Sequence, residues 1–135
     1  MLVQQILKEK GDAEVVTVKP GSLVQDAAKV LTERRIGTVV VSADGSEAAG
    51  ILSERDIVRE IGNRGPGCMS DSVDDLMTKE LVTCGRNEDA VAVLEKMTEG
   101  RFRHMPVVEE GKLVGLITLG DVVKARLSEL AMEKD

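Results

Sequence analysis

The sequence predicts an α+β fold built from two copies of one β-α-β-β-α unit. Residues 16–41 align without a gap on residues 82–107, and residues 50–58 align on residues 115–123 once one residue is dropped in a turn. Within each copy, short β-branched runs alternate with segments whose apolar residues recur at helical spacing. Glycine, hydroxyl and apolar positions that match in the same order indicate a tandem duplication.

Each copy is predicted to open with a strand that is followed by a helix. The strands are Val15–Val18 and Leu81–Cys84, where β-branched residues predominate. Each helix is predicted from four apolar residues at positions i, i+3, i+4 and i+7, which form one stripe. These residues are Val24, Ala27, Ala28 and Leu31 in the first copy and Ala90, Val93, Leu94 and Met97 in the second.

Two further strands and a second helix complete each copy. The last helix starts at an S/T-x-x-D pattern, in "GILSERD" (residues 50–56) and "GLITLGD" (residues 115–121). Short lead-in segments at Val3–Leu7 and Val73–Met77 are predicted to form one-turn helices ahead of each copy. The remaining predicted strands are Thr38–Val41 and Ala49–Leu52 in the first copy, and Met105–Val108 and Leu113–Ile117 in the second.

The duplication also predicts the domain organisation. Residues 1–62 form the first domain, residues 63–72 ("NRGPGCMSDS") form a linker rich in Gly and Ser, and residues 73–135 form the second domain. Three thin strands cannot cover their own sheet face, so we expect the two copies to pack sheet to sheet about a pseudo-two-fold axis. Such packing creates two equivalent clefts in which small ligands could bind.

Composition excludes several classes of protein. Phe102 is the only aromatic residue, and the net charge is −6, so neither the stacking platform nor the basic surface of a nucleic-acid binder is expected. No apolar run is long enough to span a bilayer and no signal peptide is recognised, which predicts a cytoplasmic protein. Cys68 and Cys84 lack a C-x-x-C spacing and are interpreted as reduced thiols; no metal site is predicted.

The doubled pattern, with "GILSERD" and "GLITLGD" opening the last helices, resembles a tandem pair of cystathionine-β-synthase (CBS) domains. The segments "VDDLMT" and "RHMPVVEEGKLVGLI" share the resemblance. It implies a regulatory module that binds an adenosine-containing ligand such as AMP, ADP, ATP, NAD or S-adenosylmethionine. It also implies a homodimer and leaves room for a regulated protein partner. No required cofactor, catalytic residue, nucleic-acid partner or membrane partner is predicted.

Ser53-x-x-Asp56 and Thr118-x-x-Asp121 each have two interpretations. The first is a helix cap, in which the hydroxyl accepts a backbone N–H and the carboxylate favours the positive end of the helix dipole. The second is a ligand site, in which the helix N-terminus and the hydroxyl bind a phosphate while the carboxylate accepts hydrogen bonds from a ribose diol. We predict that both motifs serve both purposes.

The second copy contains the cations that a phosphate site needs. Arg101, Arg103 and His104 precede the apolar pair Met105-Pro106, although taken alone they could be solvated charges at the entrance of a strand. The first copy has Gly37, Thr38 and Val39 in place of Arg103, His104 and Met105. There Arg34, Arg35 or Arg55 could supply a cation, or could equally be solvated helix-end charges. We therefore predict tighter binding at the Thr118/Asp121 site. The resemblance adds adenine contacts near Thr17, Val18 and Thr83.

Two other functions remain open. The chain could be a structural dimerisation module in which the hydroxyl and Asp residues are only caps. It could instead be a small nucleotide-processing enzyme, but no paired nucleophile and base are visible, and neither a G-x-x-x-x-G-K nor a G-x-G-x-x-G motif occurs. The regulatory module is the preferred hypothesis.

Overall fold

In the computed structural model, which describes residues 1–11 and 15–133, the chain divides into two units. The first-repeat unit comprises Val15–Leu81, and the second-repeat unit comprises Met1–Glu14 with Val82–Asp135. Each unit contains a small sheet and several helices, which confirms the predicted α+β class with two repeated units. In chain order the elements are α1 (Val3–Glu9), β1 (Thr17–Val18), α2 (Val24–Arg34), β2 (Thr38–Val41), β3 (Gly50–Ser53), α3 (Glu54–Arg64), a 3-10 helix (Pro66–Ser70), α4 (Val73–Leu76), α5 (Ala90–Gly100), β4 (His104–Glu109), β5 (Lys112–Thr118) and α6 (Leu119–Glu133).

The first-repeat unit has a three-stranded sheet in the order β1-β2-β3. β1 runs parallel to β2, and β2 pairs antiparallel with β3, so that Thr38 lies opposite Ser53. All four residues of β2 are buried, as expected for the central strand of a covered sheet. The aliphatic side chains of α2 pack on this sheet and form the core of the unit.

The second-repeat unit has a hairpin of β4 and β5 instead of three strands. Its two-residue turn, Glu110-Gly111, has positive φ at both positions (52° and 78°), the conformation that matches the twist of a hairpin. The strand predicted at Leu81–Cys84 is wrong in extent: among the described residues only Cys84 pairs, through a parallel bridge to Val107.

Pro106 explains the shortened strand. In the first-repeat unit the N–H of Val40 donates to the carbonyl of Val16 at 3.1 Å, which holds β1 against β2. The duplication aligns Val40 with Pro106, which has no N–H to donate to Val82. The next bond of the ladder survives, because the N–H of Val108 donates to the carbonyl of Cys84 at 2.8 Å.

The lead-in helices pack on the repeats that do not follow them in the chain. α1 belongs to the second-repeat unit, where the N–H of Val3 donates to the carbonyl of Glu88 at 2.9 Å. α4 belongs to the first-repeat unit, where the N–H of Val73 donates to the carbonyl of Ser22 at 2.8 Å. The prediction that each helix lies ahead of its own copy holds for the sequence order but not for the packing.

The glycines that open "GILSERD" and "GLITLGD" make room for these lead-in segments. A Cβ atom added to Gly50 would lie 2.6 Å from Sδ of Met77 and 2.9 Å from the backbone oxygen of Thr78. A Cβ atom added to Gly115 would lie 2.7 Å from Cδ2 of Leu7. Each glycine is therefore required by the close approach of another segment to a strand.

The segment predicted to be a linker is partly structured. Residues 66–70 form the 3-10 helix, whose Cys68 is 2% exposed, and Met69 packs against the first-repeat core. Cys84 is also buried, and both cysteines are free thiols. The domain boundaries drawn from the duplication stay a prediction.

Candidate functional site

Both S/T-x-x-D motifs form helix caps. In the first-repeat unit the N–H of Asp56 donates to Oγ of Ser53 at 3.2 Å, and the N–H of Ser53 donates to Oδ2 of Asp56 at 2.9 Å. Thr118 and Asp121 exchange the corresponding bonds at 3.1 and 2.9 Å. These reciprocal bonds define a capping box, so the helix-cap interpretation is confirmed for both motifs.

In the second-repeat unit, the basic strand residues lie beside the start of α6. His104 is the β-partner of Thr118, and the backbone carbonyl of Arg103 accepts the N–H of Leu119 at 2.8 Å. The side chain of Arg103 is exposed, whereas that of His104 is half-buried. The backbones of Arg103 and His104 thus lie beside Leu119 and Thr118 at the start of α6. That these residues form a ligand site together with Asp121 stays a prediction.

The first-repeat unit repeats this arrangement without basic residues at the matching strand positions. Thr38 is the β-partner of Ser53, and the carbonyl of Gly37 accepts the N–H of Glu54 at 2.9 Å. The hydroxyl of Thr38 donates to the carbonyl of Leu52 at 3.2 Å within the core. This side chain is therefore committed to the fold and does not replace the imidazole of His104.

The N-terminus of α6 offers fewer free backbone N–H donors to a phosphate than the ligand-site interpretation of the motif assumes. Of the first three N–H groups of α6, that of Leu119 is bound to Arg103 and that of Asp121 to Thr118. The N–H of Gly120 has no partner among the described residues. Thr118 accepts through its hydroxyl oxygen in the cap, so its O–H remains able to donate. An anion at this helix would meet one backbone N–H and one hydroxyl.

The two carboxylates have different partners. Asp56 is 7% exposed, and its Oδ1 accepts a bond from Arg59 at 2.6 Å while its Oδ2 serves the cap. Asp121 accepts both its cap bond and a 2.8 Å ion pair from Lys10 on Oδ2. Oδ1 of Asp121 has no partner among the described residues. Both carboxylate oxygens are thus engaged in the first repeat, and one in the second.

Lys10 was not predicted from the sequence. It is the C-cap residue of α1 and reaches the start of α6 because α1 packs on the second repeat. Its ammonium also donates to the carbonyl of Leu116 at 2.9 Å, across a separation of 106 residues in the chain. No local pattern around Lys10 distinguishes it from the other surface lysines, so only the fold of the chain reveals this contact.

The Lys10 contact predicts a pH-dependent contribution to stability. Burial raises the pKa of the Asp121 carboxyl, but the hydrogen bonds from Lys10 and Thr118 lower it more, leaving the pKa below its ordinary value of 3.8. A carboxyl with a lowered pKa stabilises the fold above the unfolded-state pKa and loses this effect as the pH falls through the folded-state pKa. We expect Asp121→Asn to lower the melting temperature at pH 7, and the difference from wild type to shrink below about pH 4.

Thermal melts between pH 7 and pH 3 test this expectation. In a Lys10→Met background the same Asp121→Asn substitution should have a smaller effect at pH 7, because one of the bonds that lower the pKa is gone. A melting difference that stays constant down to pH 3 would contradict the assignment.

Several predicted site residues are buried. Val39 and Met105 are 0% exposed and belong to the cores of their units, and Pro106 is buried as well. Thr17 and Val18 are half-buried and form β1, whereas Thr83 is exposed and lies outside any strand. Any contact that Val39 or Met105 makes with a ligand would therefore involve the backbone or require a shift of the side chain.

Two arginines at matching positions have a left-handed backbone. Arg35, which follows α2, has φ 56°, and Arg101, which follows α5, has φ 57°. Non-glycine residues rarely adopt this conformation, which costs about 1–2 kcal/mol. Arg101 belongs to the predicted basic cluster, and Arg35 is one of the three arginines considered for the first repeat.

We expect Arg35→Gly to raise the free energy of unfolding by about 0.5–1 kcal/mol, because glycine removes the strain but gains entropy in the unfolded chain. The adjacent Arg34 is the last helical residue of α2, so Arg34→Gly should lower the free energy of unfolding, by at most a similar amount. Urea denaturation measures both variants. A loss of stability in Arg35→Gly would mean that the arginine side chain contributes more than its backbone strain costs.

Other kinds of site were sought in the same described ranges, residues 1–11 and 15–133. There, no three His, Cys, Asp or Glu side chains are grouped so that they could hold a metal ion. No helix in that part of the chain has the length and apolar character required to cross a bilayer.

Comparison with known proteins agrees with this architecture. The model of the CBS domain matches residues 8–63 and again residues 73–128. The chain therefore belongs to the CBS-domain family, as a tandem pair.

Individual relatives support the assignment. The CBS-domain containing protein ATU1752 from Agrobacterium tumefaciens has 43% identity and a TM-score of 0.88, over 93% of this chain and 99% of that one. The CBS domain-containing protein CBSX3, mitochondrial, from Arabidopsis thaliana is 33% identical over 94% of this chain, which spans 65% of that protein's length. The CBS domain protein PAE2072 from Pyrobaculum aerophilum, solved in complex with AMP, has 25% identity and a TM-score of 0.82, over 98% of this chain and 99% of that one.

Proposed function

We propose that this protein is a regulatory module that binds a phosphorylated adenosine, such as AMP, at the Thr118/Asp121 site. The arrangement of groups at the start of α6 carries the proposal. A hydroxyl and one backbone N–H are available to a phosphate, the carboxylate of Asp121 is available to a ribose, and Arg103 supplies positive charge. The AMP complex of PAE2072 shows that a related chain of the same fold binds such a ligand.

The charges of the two repeats favour the second site. Arg103 and His104 replace Gly37 and Thr38, so the strand beside the start of α6 carries two basic residues that the strand beside the start of α3 lacks. The first repeat does have Arg59 beside its helix start, but that guanidinium is already bound to Asp56 at 2.6 Å. Negative charge on a phosphate is stabilised by nearby cations, and the stabilisation is larger in a partly buried site. We propose that AMP binds at Thr118/Asp121 with higher affinity than at Ser53/Asp56. ADP, ATP, NAD and S-adenosylmethionine are alternative ligands.

A ligand screen tests the proposed function. Melting curves of the full chain are recorded with AMP, ADP, ATP, NAD and S-adenosylmethionine, each at about 1 mM, and isothermal titration calorimetry follows for each ligand that stabilises. A ligand at 100 times its Kd should stabilise the fold by about 2.7 kcal/mol. Lack of stabilisation by all five ligands would reject the proposal in favour of a structural module.

We propose that the module has no catalytic activity of its own. One curated relative is named L-aspartate semialdehyde sulfurtransferase, but this chain covers only 21% of that protein. Regulation would instead require a ligand with different affinities for two states of the module or of a protein partner. Incubation of the purified protein with each nucleotide, followed by chromatography of the products, tests this point.

The second candidate function, a dimerisation module, has one observation in its favour. α6 exposes an apolar stripe in which Val123 is 42%, Leu127 is 62% and Leu130 is 44% exposed. Large exposed apolar side chains at helical spacing are typical of a surface that another helix covers. We propose that a homodimer forms through this stripe. Light scattering after size exclusion should give a dimer for wild type and a monomer for Leu127→Glu.

The cytoplasmic location remains a proposal. CBSX3 carries the word mitochondrial in its name, so membership of the family does not by itself imply the cytoplasm. Fractionation of the source cells with an antibody against the protein would decide the location.

A further inference from the structure

Lys10 and Asp121 form a polar pair that the capping role of Asp121 does not require. The capping box of α6 is complete with Thr118 alone, as the first repeat demonstrates with Ser53 and Asp56. The ion pair of 2.8 Å between Lys10 and Asp121 is an addition to it. Partly exposed ion pairs contribute only modestly to stability, so the effect of this pair on folding leaves room for a second role in ligand binding.

The ammonium of Lys10 is held in position by the docking of α1. The N–H groups of Val3 and Gln4 donate at 2.9 Å to the carbonyls of Glu88 and Arg86 respectively. Leu7 packs on Gly115 in the strand that leads into α6. Because both ends of α1 are fixed in this way, Lys10 is preorganised beside Asp121.

With respect to residues 1–11 and 15–133, the pair has one N–H donor and one carboxylate oxygen without a partner. An ammonium group has three N–H donors, and Lys10 uses one on Asp121 and one on the carbonyl of Leu116. The carboxylate of Asp121 uses Oδ2 for both of its bonds, and its Oδ1 has no partner within the described ranges. The side chains of Lys10 and Asp121 are 33% and 20% exposed, so a small ligand can reach them.

A donor and an acceptor side by side are complementary to vicinal hydroxyl groups. One hydroxyl donates to the carboxylate, and its neighbour accepts from the ammonium. We propose that Lys10 is a specificity residue of the Thr118/Asp121 site, which together with Asp121 binds the two ribose hydroxyls and selects ribonucleotides over deoxyribonucleotides. This inference rests on the proposed function and names how that site recognises the sugar.

The first repeat has no lysine at the position that corresponds to Lys10. The lead-in segments align Lys10 with Glu80, so the corresponding position has the opposite charge. The cation on Asp56 is instead Arg59, from the same helix, and it engages Oδ1, the oxygen that is left over in Asp121. The selection of a ribose by a Lys-Asp pair is thus confined to the second repeat.

Calorimetry with AMP and 2′-deoxy-AMP tests the proposal on the full chain. Wild type should bind AMP about tenfold more tightly, because 2′-deoxy-AMP leaves one charged partner without its hydrogen bond. In Lys10→Met the affinity for AMP should fall about five- to tenfold, while the affinity for 2′-deoxy-AMP changes much less. The matched control is Lys8→Met, an exposed lysine on the same helix, which should keep the wild-type preference.

Each other outcome overturns the proposal in a recognisable way. Equal losses for both nucleotides in Lys10→Met would mean that Lys10 provides only general charge or structure. A gain for both would mean that Lys10 blocks the site. If wild type binds neither nucleotide, the proposed function fails together with this inference; if it binds both with equal affinity, only the inference fails.

Discussion

Replacement of Gly50 by Ala should lower the free energy of unfolding by about 2–3 kcal/mol. The new Cβ would lie 2.6 Å from Sδ of Met77 and 2.9 Å from the carbonyl oxygen of Thr78. The Met77 side chain can move aside, but the Thr78 carbonyl is bound to the N–H of Ile51 at 3.0 Å, and Thr78 and Ile51 form a β-bridge. The strand and the lead-in segment must therefore separate to admit the methyl group.

Two further glycines serve as comparisons. Gly62 lies inside α3 with no atom within 4 Å of an added Cβ, so Gly62→Ala should raise the free energy of unfolding by about 0.5–1 kcal/mol. Gly115→Ala meets the tip of the Leu7 side chain rather than a backbone oxygen and should cost about 1–2 kcal/mol. Urea denaturation monitored by circular dichroism measures all three. If the free energy of unfolding of Gly50→Ala stays within about 0.5 kcal/mol of the wild-type value, the segment Met77-Thr78 can move away from Gly50 at little cost, and the expected clash is wrong.

Replacement of Asp121 by Ala should weaken AMP binding about 10- to 100-fold, whereas Asp56→Ala should weaken it less than about threefold. The expected difference follows from the partners of the two carboxylates. Both oxygens of Asp56 are engaged, by Ser53 and Arg59, while Oδ1 of Asp121 has no partner in the described part of the chain. A ribose can therefore bind Asp121 without displacing an existing ion pair.

Stability has to be separated from binding in this comparison. Each substitution removes a capping box and should cost about 1 kcal/mol, so the two variants form a matched pair for the effect of the cap. Calorimetry with AMP is carried out well below the melting temperature of both variants. Equal losses of affinity in Asp56→Ala and Asp121→Ala would reject the asymmetry between the repeats.

Much of the fold was predictable because it depends on local chemistry. The duplication is visible as matched residues. The apolar stripes predict the positions of α2 and α5, although each helix continues three residues beyond the last residue of its stripe. The capping boxes follow from four residues in sequence, and both occur as predicted. The pairing of His104 with Thr118 was not predictable in this way, because a regular hairpin around Glu110-Gly111 would place His104 opposite Ile117. A register shift at Val107/Val108 moves the pairing by one residue and brings His104 opposite Thr118.

Other features depended on residues far apart in the chain. The strand expected at Leu81–Cys84 shrinks to a bridge because a ladder bond requires an N–H that Pro106 lacks. The apolar residues of the second copy gave no sign of this, since they suit a strand by themselves. The side chains of Val39 and Met105, which were expected to lie near a ligand, are instead buried in the cores of their units.

The sequence by itself determined the repeated α+β units and the position of each cap, because helix periodicity and capping involve residues within a few positions of each other. The tertiary structure decided which lead-in helix packs on which repeat. Val3–Leu7 and Val73–Met77 have the same apolar spacing, so local energetics cannot assign either one to a partner. That assignment is what brings Lys10 to Asp121, and with it the feature that most clearly separates the second site from the first.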